Sequence, residues 1–536
     1  MDFCEALKLI YHHFVVTDNP ILQDVYKVLI NESFEEYRYF VHQMNTLSGI
    51  SPNFSERLFE CPACPQLQEL LPSHLLSVTG ESKNPYGRGG LYSPYKSVAK
   101  PKHEGLYFLD QDEVDKFVRS SDISEPNKDV DCNEFKAGSN IRSKGRYYKL
   151  DETAVFGASC RHDFPQMMFS LKHGERLSYP VYLLQQLMEK YGTSDISFMY
   201  DISCMFESYI KKHHSDISLD AVKMGIPIFH AYGHKWDCQV RYSPRRLPGF
   251  GLTDGESLER LWSYLRSFSK IAKEMTPSHR IDTLTDALIH YANRKQLKIG
   301  TFLRTKIDRA KDQLAAAGEE LSSLLRVMQV SVTDVRDHSL REANRLSTNQ
   351  ALSGKEKTLH LLHKHCSERK ILLETKKKYA DGQAVAIKLQ RSIARTNAQI
   401  RKYLDDLTKK FDSTLTFEKA VSCEFLIGPD ARGYRHAEET LCLKERVEEE
   451  ISLVSKEILN VAKVFCERHN HLTESLARVA SKSHCKLMQG KMSLISSKIV
   501  SVEREFSLLQ QSCGSIVPII PDFQSYSQTL KTTSLR

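Results

Sequence analysis

Residues 196–204 read ISFMYDISC, and this stretch decides the fold. Its first half has the bias of a buried strand, and Asp201 follows directly. The runs AVFGASC (154–160) and IPIFHAYGH (226–234) have the same bias, and PVYLLQQLMEKYG (180–192) has the pattern of a helix closed by Gly192. Strands that alternate with helices predict an α/β domain.

The bulk composition sets limits on the class of protein. The chain has 536 residues, a formal net charge of +8 and 13 cysteines. This length predicts two or three domains, and the small charge excess permits a polyanionic partner without requiring one. An odd number of scattered cysteines indicates reduced thiols rather than a disulfide scaffold. No run of 18 uncharged apolar residues occurs, so we expect no membrane-spanning helix.

Proline divides the chain. Fifteen of the 18 prolines lie at or before Pro277, and none lies between Ser278 and Gly428. Because proline is excluded from helix interiors, the second half is free to be almost entirely helical. We predict a helical segment at 1–65 that ends in CPAC, a core at 66–300 with a mobile loop at 82–104, and a helical region at 301–536.

Apolar residues of this last region repeat in heptads. The two patterns are Val447, Ile451, Val454, Ile458, Val461 and Phe465, and Leu389, Ile393, Ile400, Leu404, Leu407 and Phe411. They predict long helices paired as a coiled coil or an antiparallel hairpin, and such a seam would also suit a second copy of the chain. FLIGPDARGY (425–434) is the expected hairpin turn, and we expect a disordered tail from about residue 514.

Acidic residues cluster in LTDGESLERLW (252–262). Thr253 followed three residues later by Glu256 fits a capping box. Alternatively, Asp201 and Glu256 together hold a divalent cation, with Asp254 and Glu259 as supporting acids. Carboxylate oxygens suit magnesium or manganese, and two such ions promote phosphoryl transfer.

Cysteine and histidine form a second candidate site. HAYGHKWDC places His230, His234 and Cys238 four residues apart, and CRH supplies Cys160 and His162. These five side chains either hold zinc or are buried polar groups that orient the active-site strand. The CxxC at 61–64 has no second pair at matching spacing, so it is either a tight turn or a metal site.

Basic residues flank these motifs. The candidate phosphate contacts are Arg241, Arg245 and Arg246, before the acidic cluster, and Lys96, Lys100 and Lys102, in the tyrosine-rich loop. Interleaved cations and aromatic rings suit a nucleic-acid backbone and its bases. For the tyrosine-rich loop at 82–104, a solvated loop is the favoured interpretation.

The chain resembles the Kyakuja–Dileera–Zisupton (KDZ) transposases in an ordered series of motifs over roughly residues 20–310: CPAC, CNEFKAG, DETAVFGASCRHDFP, FMYDISC, IFHAYGHKWDCQ and YSPRRLPGFGLTDGESLERLWS. The resemblance implies an RNase H-like core, a mixed sheet flanked by helices. In such cores two aspartates and a glutamate bind two magnesium ions. The enzyme uses these ions to cut DNA at the element ends and to join the freed 3′ hydroxyl to target DNA. Asp201 matches the second aspartate, and Glu256 matches the glutamate. The resemblance further implies a nuclear protein that binds transposon ends and target DNA as a homo-oligomer.

One position departs from the family pattern. Thr79-Gly80-Glu81 stands where Asp-Gly-Asn is expected, and a threonine hydroxyl does not ionise. Glu81 and Asp131 are the candidate replacement carboxylates. The sequence therefore predicts a DNA transposase with impaired catalysis. The alternatives are an inactive transposase-derived protein that binds DNA or acts as a scaffold, and, more remotely, a coiled-coil interaction protein.

Overall fold

The structure, a computed structural model, describes residues 34–47, 49–55, 58–64, 76–83, 88–89, 101–103, 105–121, 150–152, 154–172, 176–192, 196–231, 234, 236–272, 275–347, several positions between 354 and 373, 383–411, 413–422, 431–481 and 486–514. They divide into two compact units. One is drawn from Met1–Glu60 and Ala462–Leu508, and the other from Cys61–Val461 and Leu509–Pro518. The three-segment division stays a prediction. No helix in these ranges is long and apolar enough to cross a membrane.

The described strands are β1 (Leu76–Lys83), β2 (Arg88–Gly89), β3 (Leu150–Glu152), β4 (Ala154–Cys160), β5 (Pro165–Leu171), β6 (Ile196–Met199) and β7 (Val222–Gly225). The described helices of the first half are α1 (Phe34–Thr46), α2 (Pro52–Ser55), α3 (Gln111–Ser120), α4 (Ser178–Tyr191), α5 (Ser203–His213), α6 (Ile228–Ala231), α7 (Trp236–Tyr242), α8 (Ser257–Leu265) and α9 (Ser269–Ala272). Those of the second half are α10 (Pro277–Leu297), α11 (Ile299–Met328), α12 (Val332–Ser347), α13 (Gln383–Phe411), α14 (Phe417–Val421), α15 (Ala431–Ala480) and α16 (Lys486–Cys513).

Five strands form one mixed sheet in the order β5–β4–β1–β6–β7. The central strand β1 runs antiparallel to β4 and parallel to β6. β4 pairs with β5 antiparallel, and β6 pairs with β7 parallel. β2 and β3 form a separate antiparallel ribbon. The described core is therefore an α/β arrangement with a mixed sheet, as the alternating pattern predicts.

Every residue of β4, β5 and β6 is buried, as expected for strands covered on both faces. On β5, the Phe169 ring packs against Phe156 of β4, with centroids 5.4 Å apart. It also packs against Tyr179 and Tyr182 of α4, at 5.9 and 6.0 Å. Helix α4 therefore covers the sheet, and it ends at Gly192 with a positive φ of 66°, as predicted.

One predicted strand is wrong. The run 226–234 is not a strand: β7 ends at Gly225, and helix α6 begins at Ile228. Pro227 has no N–H for a strand ladder, and its carbonyl accepts hydrogen bonds from the amides of His230 and Ala231. The strand-like composition of this run reflects burial, because Ile226 is fully buried beside the sheet.

Most described residues of the proline-free segment are helical, as predicted, and the described exceptions are short connections such as 329–331 and 413–416. Apolar residues of α11, α12 and α15 form one buried cluster: Leu321, Met328, Val335, Ala437 and Leu441. A second cluster packs α13 and α14 against Leu362 and Cys366. These contacts are helix packing, and a coiled coil stays a prediction. Residues 431–434 of the predicted turn belong to α15, while 425–430 and the predicted tail from 515 lie outside the described residues.

Contacts within the smaller unit join its N-terminal residues to the end of α15. Ser475 donates a hydrogen bond to Ser51 between the two hydroxyl oxygens, 2.8 Å apart. Arg468 donates to the carbonyl of Leu58 at 3.3 Å. The predicted N-terminal helical segment is thus described only from α1 onward.

Candidate active site and metal centres

Asp201 lies at the carboxyl end of β6, just before α5. The chain turns there because the Ser203 hydroxyl and the Tyr200 amide both donate to the Gly225 carbonyl, at 2.7 and 3.0 Å. Burial raises the pKa of Asp201 to about 6, against the opposing effects of backbone amides and His234. Among the described groups, Asp201 Oδ1 has no hydrogen-bond partner. A buried carboxylate oxygen of this kind is suited to a cation.

The turn before α8 lies against the end of β6. Gly255 has a φ of +80°, and a Cβ at that position would lie 2.8 Å from Met199 Cε and 2.8 Å from Pro227 Cβ. Only glycine allows this conformation and this close approach. Glu256 is therefore held beside the strand that ends two residues before Asp201.

The capping-box prediction for Thr253 and Glu256 is wrong. Glu256 is itself the N-cap residue of α8, and its side chain makes no capping hydrogen bond. Its amide donates to Asp254 Oδ1 at 3.0 Å, and its Oε1 accepts from the Phe229 amide at 3.3 Å. The Gly255 turn delays the start of the helix, so the carboxylate of Glu256 points toward α6 rather than toward the first turn of α8.

Electrostatics connect the two candidate catalytic carboxyls. Burial raises the pKa of Glu256 to about 7, and the charges of Asp254 and Glu259 contribute to the shift. Glu259 also contributes to the raised pKa of Asp201. The charge of Glu259 thus acts on both candidate catalytic carboxyls. A divalent cation would relieve this repulsion.

Asp254 is engaged differently. Its Oδ2 accepts from Arg260 Nη1 at 2.9 Å, and this cation outweighs burial to lower the pKa of Asp254. Arg260 also donates to Asp163, which Lys295 pairs with at 2.7 Å. Asp254 therefore fixes the turn before α8 to the loop after β4. The role of a supporting acid stays a prediction for both Asp254 and Glu259.

The backbone of Thr79 lies at the centre of the sheet, between Ser159 of β4 and Met199 of β6. Ser159 donates a hydrogen bond to the Ser257 hydroxyl at 2.8 Å, and Gly255 lies against Met199. The segment 255–257 thus contacts the strands on both sides of Thr79.

Because Thr79 stands where the family pattern has an aspartate, Glu81 and Asp131 are the candidate replacement carboxylates. Glu81 follows Thr79 by two residues, as Asp201 follows Met199. Only the backbone of Glu81 is described, in β1, and Asp131 lies outside the described residues.

Four buried ligand side chains converge at the C-terminal end of β4: Cys61, Cys64, Cys160 and His162. Their ligand atoms all lie within 4.8 Å of one another. His162 Nδ1 is 3.5 Å from Cys64 Sγ and 3.8 Å from Cys160 Sγ. Zinc bonds of about 2.3 Å to sulfur and 2.0–2.1 Å to nitrogen would separate such atoms by roughly 3.5 Å in a tetrahedral site. The cluster therefore fits a closed four-ligand metal site.

The charge state of this cluster also suits a metal. Burial opposes ionisation of Cys160, but contacts with Cys61, Cys64 and His162 hold the pKa of its thiol well below the usual value. Contacts with Cys160 and Cys61, together with burial, raise the pKa of Cys64. Burial opposes the charging of His162, but nearby Glu457 and Cys61 raise its pKa. A bound cation would allow the remaining thiols to ionise.

A second cluster contains Cys204, His234 and Cys238, all buried, with ligand atoms within 4.8 Å. Cys204 Sγ lies 3.5 Å from His234 Nδ1. Cys204 is in the first turn of α5, three residues after Asp201. This cluster is therefore adjacent to Asp201 along the chain, and the described residues supply three of the four ligands of a structural zinc site.

The clusters correct the ligand grouping that the sequence predicts. Cys160 and His162 belong with Cys61 and Cys64, not with His234 and Cys238. The CxxC is thus not alone, but its partners lie about 98 residues further along the chain, a separation that no local motif spacing indicates. His230 lies partly buried on α6, outside both clusters, because 230–238 is not one helix.

The basic residues differ in their surroundings. Arg246 is paired with Glu438 and Glu439 of α15, and Arg245 donates to backbone carbonyls at 3.3 and 3.4 Å. Arg241 is exposed at the end of α7. The amide of Lys102 donates to Asp282 at 3.1 Å, while Lys96 and Lys100 lie outside the described residues. Contact between these residues and DNA stays a prediction.

The sequence patterns do not indicate the part that α15 plays around these sites. Glu449 accepts from the amides of Gly249 and Gly251, and Glu450 accepts from that of Leu252. Two neighbouring carboxylates of one helix thereby hold the loop that leads into the acidic cluster. The heptad pattern describes the apolar face of α15 and carries no signal for these contacts.

Comparison with known families identifies the core. Residues 91–292 match the family model KDZ, Kyakuja-Dileera-Zisupton transposase. The matched stretch contains Asp201, Glu256 and the second cysteine–histidine cluster, while Cys61 and Cys64 precede it and α15 follows it. Comparison with curated proteins and with solved structures gave no match. The predicted resemblance is confirmed over residues 91–292, which match a KDZ transposase domain.

Proposed function

We propose that this protein is a DNA transposase of reduced activity, whose Asp201 and Glu256 hold magnesium or manganese ions in an RNase H-like core. The observation that carries the proposal is the turn at Gly255, which holds Glu256 against the end of β6, the strand that leads to Asp201. The mixed sheet flanked by helices supports the RNase H-like assignment. Transposon ends and target DNA are the proposed partners, in the nucleus, and a homo-oligomer is the proposed assembly.

The chemistry follows from the two carboxyls. When bound, a pair of divalent ions stabilises the attacking and leaving oxygens of a phosphodiester. In the first step, water would form a bond to phosphorus and lose a proton, while the bond from phosphorus to the 3′ oxygen breaks and that oxygen takes up a proton. In the second step, the freed 3′ hydroxyl would lose its proton and form a bond to a target phosphorus, while the target's own bond from phosphorus to its 3′ oxygen breaks and that oxygen takes up a proton. Asp201 and Glu256 would fix the positions of the ions, and burial raises the pKa of both carboxyls, so ion binding at mildly acidic pH would release protons from them.

Reduced activity is proposed because Thr79 replaces a carboxylate. Loss of one charged ligand weakens ion binding and misplaces the reacting atoms. Glu81 is the nearer candidate replacement, since it lies two residues further along the same strand, and Asp131 is the other.

Magnesium-dependent nicking of the terminal repeats that flank the gene, by the full-length protein, tests the proposal. We expect slow nicking that falls at least about 100-fold in Asp201→Asn and in Glu256→Gln, and that rises in Thr79→Asp. Glu448→Gln, on an exposed part of α15, is the matched control. Loss of nicking in Glu81→Gln, with no gain in Thr79→Asp, would identify Glu81 as the first carboxylate. Absence of nicking in every variant would overturn the proposal.

Thr79 also favours the second candidate function, an inactive transposase-derived protein that binds DNA or acts as a scaffold. Such a protein would show no nicking in any variant, yet its affinity for DNA would fall steeply as salt rises, because phosphate contacts release counterions. A flat salt response would instead favour an interaction protein.

We also propose that Cys61, Cys64, Cys160 and His162 hold a structural zinc ion. This metal centre would fasten the CxxC turn to the end of β4. Purified full-length protein is expected to contain zinc, and Cys64→Ser is expected to lower the zinc content by one ion per chain. Equal zinc content in the two proteins would contradict this assignment.

A further inference from the structure

One ring nitrogen of His162 faces the cysteines of the proposed zinc centre, and the other faces α15. Nδ1 lies 3.5 Å from Cys64 Sγ, while Nε2 lies 3.2 Å from Glu457 Oε2. The His162 side chain is 1% exposed, and that of Glu457 is 10% exposed. We propose that Glu457 is the positioning residue that orients His162 as a metal ligand, an inference that rests on the proposed zinc centre.

The chemistry of imidazole gives the reason. A neutral histidine has one nitrogen that binds a metal and one that carries hydrogen. If Nδ1 binds the metal, Nε2 must carry the hydrogen. Nε2 and Glu457 Oε2 lie 3.2 Å apart without the alignment of a hydrogen bond, so a small reorientation of the ring on metal binding would let this carboxylate accept it. Such an outer carboxylate fixes the tautomer and the ring orientation and makes the ligand nitrogen more basic.

Glu457 is itself fixed by a buried cation. Arg161 Nε lies 3.2 Å from Glu457 Oε1, and Arg161 Nη2 donates to Glu450 Oε1 at 2.6 Å. Arg161, the chain neighbour of His162, thus holds the Glu457 carboxylate in place opposite His162.

The position of Glu457 in the chain extends the metal centre. It lies on α15, far beyond the matched residues 91–292. The centre therefore contains the CxxC before the matched domain, two ligands within it and an outer carboxylate after it. Metal binding would stabilise all three regions together.

Zinc release tests the inference. Full-length protein loaded with zinc is mixed with excess chromogenic chelator, and the release rate is measured for the wild type, Glu457→Gln and the control Glu448→Gln. We expect Glu457→Gln to bind zinc 10- to 100-fold more weakly and to release it correspondingly faster. Glu448, which pairs with Lys444 on the same helix, is expected to be without effect.

Two further measurements separate the outcomes. Visible absorption of the cobalt-loaded protein is expected to report three sulfurs and one nitrogen in both the wild type and Glu457→Gln. Glu457→Asp keeps a negative charge for Arg161 but moves the carboxylate away from His162 by one methylene. It is therefore expected to release zinc faster than the wild type, and it provides the test if Glu457→Gln fails to fold. Equal release rates in the wild type and Glu457→Asp, with zinc bound at the Cys64 centre, would overturn the inference but leave the zinc centre. Equal zinc content in the wild type and in Cys64→Ser would overturn both the zinc centre and the role of Glu457.

Discussion

Ser159 of β4 donates a hydrogen bond to Ser257 of α8, with the two hydroxyl oxygens 2.8 Å apart and both side chains buried. Ser159 pairs with Thr79 across the sheet, and Ser257 follows Glu256. One hydrogen bond therefore fixes the start of α8 to the strand beside the altered position 79.

Replacement of Ser159 by alanine tests this link. Loss of the donor leaves the buried Ser257 hydroxyl without its partner, so we expect a loss of about 1–2 kcal/mol in the free energy of unfolding. Ser322→Ala is the control, because Ser322 is exposed and bonds only to the Gly318 carbonyl of its own helix. Denaturant titration measures both. Equal stabilities of the two variants would show that the bond has no structural role.

Gly255→Ala tests the close approach of the turn to β6. The substitution adds a Cβ 2.8 Å from Met199 Cε, at a positive φ of 80°, so we expect destabilisation by more than about 1 kcal/mol. The matched control is Gly318→Ala, in the middle of α11, where a Cβ would meet nothing within 4 Å. That substitution is expected to stabilise the protein by roughly 0.5–1 kcal/mol. Opposite signs of the two changes in thermal unfolding would support this account, and the same sign would contradict it.

Glu450→Gln tests the buried ion pairs of α15. Burial opposes ionisation, but Arg161 and Lys306 hold the pKa of Glu450 at about 2, below its ordinary 4.5. Because the folded-state pKa is the lower one, this stabilisation is present above about pH 4.5 and is lost as the pH falls toward 2. We expect the variant to lose on the order of 3 kcal/mol at neutral pH.

The pH dependence supplies the control for this prediction. The difference in unfolding free energy between wild type and Glu450→Gln is expected to shrink as the pH falls from 4.5 toward 2. Glu448→Gln, next to Lys444 on the surface of the same helix, is expected to stay close to the wild type throughout. A difference that does not depend on pH would show that Glu450 acts as a hydrogen-bond acceptor rather than through its charge.

Chelation tests whether the cysteines of the proposed zinc centre stabilise the fold. A chelator is expected to lower the Tm of the wild type by several degrees, since an ion that binds only the folded state adds to its stability. Cys61→Ser should already have the lower Tm and respond little to the chelator. Cys442→Ser, a partly buried free cysteine on α15, should behave as the wild type. A wild-type Tm that ignores the chelator would count against a structural metal.

Several elements could be predicted from local pattern. β4 and β6 have the apolar bias of buried strands, α4 ends at its glycine, and the proline-free half is helical. The strand prediction for 226–234 is wrong because burial and strand formation select the same residue types, while Pro227 cannot continue the hydrogen-bond ladder of the sheet. The capping box failed because it depends on where the helix begins, and the Gly255 turn shifts that point.

Some residues of the candidate sites could likewise be predicted from local pattern, and others could not. Asp201 and Glu256 stand in motifs whose residue types predict carboxylate chemistry, and the structure holds Glu256 beside the strand that leads to Asp201. Cys61, Cys64 and Glu457 could not be assigned to His162, because their side chains come from segments far apart in the chain.

The sequence by itself determined the residue types available for chemistry, the helical second half and the departure at Thr79, since each depends on composition or on local spacing. Only the tertiary structure decided that the CxxC joins Cys160 and His162, that His234 and Cys238 join Cys204, and that α15 supplies carboxylates to the core. The physical reason is that buried ligands and ion pairs are selected by distance in space, which sheet register and helix packing set and which separation along the chain does not encode.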